Sequence, residues 1–190
     1  MARRYYNGKL GKFKYDNAEF KLMDGCLRYI GAETDGSKIK IPEGITDCSY
    51  MFHGCSSLAE APVIPAGVTD CYCMFYNCSS LLKAPVIPVG AKDCHSMFSW
   101  CVSLVEAPEI PAGVTECGGM FYGCSSLIEA PTIPESISDC DCMFYGCSSL
   151  KNYSLDNATY RKEIYCSCPP IIKEIDSFTQ KFKERKQLNA

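Results

Sequence analysis

One step of 23 residues governs what this chain can fold into. Met-Phe recurs at Met51-Phe52, Met74-Phe75, Met97-Phe98, Met120-Phe121 and Met143-Phe144. A Cys stands three residues before each Met (Cys48, Cys71, Cys94, Cys117, Cys140) and another four after it (Cys55, Cys78, Cys101, Cys124, Cys147). A Leu closes each unit, at Leu58, Leu81, Leu104, Leu127 and Leu150. Self-similarity at a fixed period of this size marks a solenoid or array. So short a unit cannot bury its apolar face alone, and stacked neighbours build the core.

Within one unit, Cys71, Met74, Phe75 and Cys78 fall at i, i+3, i+4 and i+7, the spacing of one face of a short helix. Asp70 stands where an N-cap would accept free backbone N–H groups, and Asn77 where a left-handed residue ends a helix. Gly54, Gly123 and Gly146 take the place of Asn77 in other units. The pattern therefore predicts about two helical turns per coil. The remainder, Ala84-Pro85-Val86-Ile87-Pro88, reads as extended, with Ile64, Ile87, Ile110 and Ile133 inward. Each Pro removes a ladder donor, so short, interrupted parallel strands are expected. At a parallel-strand spacing of about 4.8 Å, five coils span roughly 25 Å.

Stacking lines up like positions. Asp47, Asp70, Asp93, Glu116 and Asp139 share one edge. Helix capping accounts for that ladder without a ligand; a cation- or basic-partner-binding edge is the functional alternative. Ser57, Ser80, Ser103, Ser126 and Ser149 form a second ladder, read as satisfying backbone groups in a turn.

The unit Ile-Pro-x-Gly-Val-Thr-x-Cys-x-x-Met-Phe-x-x-Cys-Ser-Ser-Leu resembles the BspA-like leucine-rich repeats of bacteria, over roughly residues 41–155. The resemblance implies a right-handed leucine-rich-repeat solenoid that binds other proteins, and known relatives are mostly surface proteins with adhesion roles. Similar repeats in phages and mobile elements suit a small intracellular version.

Charge is segregated. Residues 1–40 carry nine Lys/Arg against five Asp/Glu, residues 41–150 two against twelve, and residues 151–190 eight against five. The acidic middle repels nucleic acid and favours a basic protein partner or end-to-middle self-association. No apolar run approaches the roughly 20 residues that span a bilayer. The charged N-terminus does not read as a secretory signal, so a cytoplasmic location is expected. The chain has fifteen Cys, ten of them at the two ladder positions, and they read as reduced, buried thiols.

The expected organisation is a β cap over 1–40, the solenoid over 41–155 and a C-terminal cap over 156–190. Phe20 to Ile30 reads as a hairpin about Asp24-Gly25, with a second turn at Asp35-Gly36. After Pro169-Pro170, Ile171, Ile175, Phe178 and Phe182 form one stripe of a helix over about 170–187. That helix is a cap, or a seam for a homodimer or partner.

Function is sought where units differ while facing outward. The variable positions around Met-Phe carry Tyr50, His53, Tyr72, Tyr76, His95, Tyr122 and Tyr145, residues suited to interfaces. Trp100 stands where other units carry Gly or Asn, an uncomfortable place for a bulky side chain. It is either a partner anchor or a ring folded back over neighbouring coils. Val63, Val86, Glu109 and Thr132, on the extended segment, make a blander face.

Catalysis is not expected: His95 adjoins Cys94, but Cys94 belongs to the inward ladder and no orienting third group is marked. The Cys-x-Cys pairs Cys71/Cys73, Cys140/Cys142 and Cys166/Cys168 lack the converging four-ligand pattern of zinc. No phosphate-binding loop appears, so neither cofactor nor metal is expected. Cys73 and Cys142, if exposed, would be open to oxidation. The reading is an α/β solenoid of about five coils, with a hairpin cap and a C-terminal helix. It is a non-enzymatic protein-binding module, with a phage or mobile-element inhibitor of a host complex as a specific case. A structural subunit of an assembly and a surface adhesin are the alternatives.

Overall fold

A computed structural model of the chain describes residues 14–15, 18–23 and 26–151. The segment from about 170 to 187, with its expected helix and dimer seam, lies outside the described residues, as does the Cys166/Cys168 pair.

The chain enters through a three-stranded antiparallel sheet, β1 (Lys14–Tyr15), β2 (Ala18–Met23) and β3 (Cys26–Tyr29), in the order β1-β2-β3. Met23 pairs with Cys26, so the expected hairpin forms with Asp24 and Gly25 between its strands. A 3-10 turn, Gly36–Lys38, follows, capped by Asp35, whose carboxylate accepts from the Ser37 amide. Phe20 and Tyr29 carry the sheet onto the first coil through the Phe52 ring, at centroid distances of 6.2 and 5.4 Å.

The expected helical turns do not form: no residue in the described repeats is α-helical. The backbone alternates instead. In the coil after Asp70, the amides of Met74, Tyr76, Cys78 and Leu81 each donate three residues back, to Cys71, Cys73, Phe75 and Cys78. The intervening amides of Cys71, Cys73, Phe75 and Asn77 donate to Asp93, His95, Met97 and Ser99 of the next coil, at 2.8–3.0 Å. A helix spends every amide inside itself; this chain of tight turns keeps every second one for its neighbour. The turns require left-handed residues twice per coil. One column is Tyr50, Cys73, Ser96, Gly119 and Cys142; the other is Gly54, Asn77, Trp100, Gly123 and Gly146. Positive φ at these places is incompatible with a continuous helix.

The acidic residues keep a capping role in altered form. Asp47, Asp70, Asp93 and Asp139 accept from the amide two residues on, at 2.8–3.1 Å. Parallel pairing is reduced to single bridges. One series is Asp47↔Asp70↔Asp93↔Glu116↔Asp139; the other is Asp35↔Glu60↔Lys83↔Glu106↔Glu129. The strands expected beside the Pro residues are thus shorter than the sequence suggests. Within the Cys-Ser-Ser-Leu turns, the hydroxyls that reach a neighbouring coil's carbonyl among the described residues are those of Ser125 and Ser148, one residue before the expected ladder.

The core is a column of like residues. Phe52, Phe75, Phe98, Phe121 and Phe144 are fully buried and stack within 11° of parallel, at 5.3–5.7 Å between centroids. Met and Leu columns flank them. Ile64, Ile87 and Ile110 are buried as expected, and Ile133 packs partly buried against the same core. Cys suits its two columns because it is small, apolar and a weak donor. The thiols of Cys78, Cys101, Cys124 and Cys147 donate to the Phe carbonyl of the preceding coil at 3.1–3.2 Å. Every cysteine among the described residues is a free thiol. Burial pushes the Cys117 thiol up to about 12, so it stays protonated at neutral pH.

Candidate protein-binding face

The turn-forming side of the coils gathers the variable aromatic residues into two rows. In the first, Tyr50 meets Tyr72 edge-on at 5.3 Å, and Tyr72 stacks on His95 at 5.4 Å. The Arg28 guanidinium caps its start, 5.3 Å from the Tyr50 ring centre. The row stops at Gly118. A Cβ on Gly118 would lie 2.8 Å from the His95 ring and 2.9 Å from Asp139 Oδ1. Lacking one, Gly118 leaves His95 room to reach over it, its Nδ1 3.7 Å from Asp139 Oδ2.

In the second row His53 stacks on Tyr76 at 4.9 Å, and Tyr122 on Tyr145 at 4.6 Å. Between the pairs the pattern shifts by one residue. Ser99 holds the aromatic position, is buried, and donates its hydroxyl to Gly119 O at 2.6 Å. Trp100 then supplies the ring from the left-handed position, with φ 62°. Its six-membered ring lies over Gly123, whose Cβ, if present, would be 2.9 Å from Trp100 Cε3. Trp100 also meets Tyr122 at 5.6 Å. Trp100 thus folds back over the next coil, one of its two sequence readings, and remains 44% exposed.

The other seven candidates are half-buried. Parallel stacking covers ring faces, so a partner would meet ring edges, hydroxyl groups and the open part of Trp100. Chemistry beside the rows is acidic, because Asp70 and Asp93 stand two residues before Tyr72 and His95. His53 is held below the ordinary histidine range, first by burial and then by the Arg28 charge. Burial pushes the Cys73 thiol up to about 11; with its side chain buried, Cys73 is a poor nucleophile at neutral pH. Cys142 is half-buried. Cys94 is fully buried, in the inward ladder where the sequence places it. Among the described residues no three His, Cys, Asp or Glu side chains converge to hold a metal. No helix among them is long and apolar enough to cross a membrane.

The extended side was underread in the sequence. Val63, Val86 and Val89 are 83–86% exposed, the most open large hydrophobic residues among those described, and Leu82 joins them. The signal was present in the Pro-Val-Ile-Pro spacing, where prolines keep neighbouring coils from pairing.

The stacked turns, the buried Phe column and the 23-residue register agree with a single family. The profile of the BspA type leucine rich repeat region (6 copies) matches residues 32–93 and 74–184. The chain belongs to the BspA-type leucine-rich-repeat family. Three solved structures share its fold. A leucine rich repeat protein from T. pallidum is 20% identical, with a TM-score of 0.54 over 74% of this chain and 80% of that one. A leucine rich cell surface protein from Faecalibacterium prausnitzii is 25% identical, with a TM-score of 0.60 over 80% of this chain and 41% of that one. A leucine-rich repeat protein from Bacteroides ovatus is 24% identical, with a TM-score of 0.54 over 73% of this chain and 40% of that one. The chain therefore spans under half the length of the last two. No curated protein matches it at a significant level. Family membership makes this a repeat module of the protein-interaction or adhesion type.

Proposed function

We propose that the chain is a non-enzymatic module that binds a basic protein partner through its turn face, with Trp100 as the central anchor. The observation that carries this reading is the local exception at residues 99–100. Every other described coil keeps Gly or Asn at the second of its two left-handed positions, whereas this one places a half-exposed Trp there at the expense of backbone comfort. Rigid amphipathic rings beside a row of carboxylates suit a Lys- or Arg-bearing surface. Free, mostly buried thiols support a reducing compartment such as the cytoplasm. A phage or mobile-element inhibitor of a host complex is a specific case, decided by the partner's identity. The cell-surface name of the F. prausnitzii neighbour favours adhesion as a second reading.

The test exchanges residues for those that sister coils already carry: Trp100→Asn, as at Asn77, and Tyr76→Ser, as at Ser99. Affinity capture from the native host should recover one stoichiometric protein with the wild type and lose it with the double variant. Capture by both chains alike would place binding elsewhere. Concentration-dependent assembly in light scattering, with no captured protein, would instead favour a structural subunit.

A further inference from the structure

The cap sheet delivers one cation to the start of the aromatic rows. Arg28, on β3, is half-buried. Its guanidinium carbon lies over the Tyr50 ring, 5.3 Å from the centre, a contact that holds the group without using any of its N–H donors. Its Nε is sealed from solvent and has no hydrogen-bond partner. Buried polar groups, charged ones above all, nearly always find a partner, so an orphan donor asks for an explanation. Among the described residues no carboxylate forms an ion pair with Arg28. The cap's own acids are spent elsewhere: Glu33 and Asp35 lie 3.8 and 3.3 Å from Lys38 Nζ, and Glu33 Oε1 also accepts from the Thr34 and Asp35 amides. The Arg28 charge is felt instead by the first coil. Burial first, and that charge second, hold His53 below the ordinary histidine range; burial pushes the Cys55 thiol up to about 11, against the same charge. The His53 ring stands 5.6 Å from that of Tyr50, so guanidinium, phenol and imidazole gather at one end of the turn face.

We propose that this end of the turn face is a binding site for a single carboxylate, as an acidic side chain of a protein partner presents it, with Arg28 taking the ligand and Tyr50 orienting the guanidinium. A planar guanidinium meets a carboxylate through two parallel N–H···O bonds. The charge balance selects a carboxylate over phosphate or sulfate. One guanidinium matches one negative charge, and residues 41–150, with two Lys/Arg against twelve Asp/Glu, repel a dianion. If the turn face takes a basic partner, one acidic residue at this end fixes its direction along the rows; the carboxylate site itself does not need that reading. Two coils separate His53 from Trp100, so the site and the Trp100 anchor succeed or fail apart.

The test uses the full chain, with the His53 ring followed by NMR. The probe is a short capped peptide with one Glu among Ala residues; the control carries Gln for Glu, at matched ionic strength. Saturation with the Glu peptide should raise the His53 midpoint, because the bound carboxylate offsets the Arg28 charge while burial remains. His95, two coils away, should not move, and the Gln peptide should move neither. Arg28→Gln should remove the response. Arg28→Lys keeps the charge but lacks the planar fork, and should bind the Glu peptide at least about threefold more weakly. Trp100→Asn should leave the affinity unchanged. Circular dichroism checks that the variants fold, and the contrast between Glu and Gln peptides on the wild type needs no variant. No response of His53 to millimolar Glu peptide would overturn the proposal, as would an equal response to the Gln peptide. Sulfate binding more tightly than the Glu peptide would overturn the assignment to a carboxylate.

Discussion

Gly123→Ala tests the Trp100 packing most sharply. Two costs can be separated. Gly123 sits at φ +73°, where any L-residue pays a left-handed penalty of about 1–2 kcal/mol. In addition, the new Cβ falls 2.9 and 3.0 Å from Trp100 Cε3 and Cδ2, so the indole must move. Displacing a packed ring adds about 1–2 kcal/mol. Gly54→Ala is the internal control, because Gly54 has φ +76° and nothing within 4 Å of its Cβ. Denaturant unfolding followed by far-ultraviolet circular dichroism, which does not depend on the single Trp, should show Gly54→Ala losing about 1–2 kcal/mol and Gly123→Ala about 2–4. In a Trp100→Asn background the Gly123→Ala cost should fall to the control value. Coupling between positions 100 and 123 below about 0.5 kcal/mol would refute the packing argument.

Other outcomes follow from the same geometry. Phe98→Ala opens the middle of the stacked column and should cost about 3–5 kcal/mol in the same assay; a loss below about 1 would mean the column is not close-packed. His53 should titrate below 6.5 by NMR, and Arg28→Gln should raise its midpoint part of the way, because burial, the larger cause, remains. The folded state then binds this proton less readily than the unfolded chain. Relative to His53→Gln, the wild type should therefore lose stability as pH falls through 6.5 toward the folded midpoint; a gain on acidification would contradict the burial. At pH 8 an aromatic disulfide reagent should modify Cys73 only after unfolding, since its thiol is buried and pushed up to about 11; fast reaction of Cys73 in the folded protein would refute that.

Much of the fold can be read from the period alone. The spacing of Met, Phe, Cys and Leu names the buried column residue by residue, and Asp24-Gly25 marks the hairpin. The helical reading failed for a physical reason. Cys71, Met74, Phe75 and Cys78 share a face equally well on a helix or on successive tight turns. What separates the two is left-handed backbone at Cys73 and Ser96, residue types that do not advertise it. The Gly column at 54, 123 and 146 carried the clue, but it reads as helix ends when its partner column is occupied by Tyr, Cys and Ser. The aromatic candidates were legible because Tyr and Trp vary within an otherwise fixed unit. Their stacking into rows was not, since it depends on the inter-coil step. Val63 and Val86 were legible as part of an outward face; Val89, as open as they are, was not.

The most direct measurement is photo-crosslinking with a benzophenone amino acid placed at position 76, on the turn face, in native host extract. A protein-binding module working through that face should give one discrete crosslinked partner at position 76, lost when Trp100 is changed to Asn. No adduct at position 76, while the same probe at position 86 captures a partner, would contradict the assignment of function to the turn face.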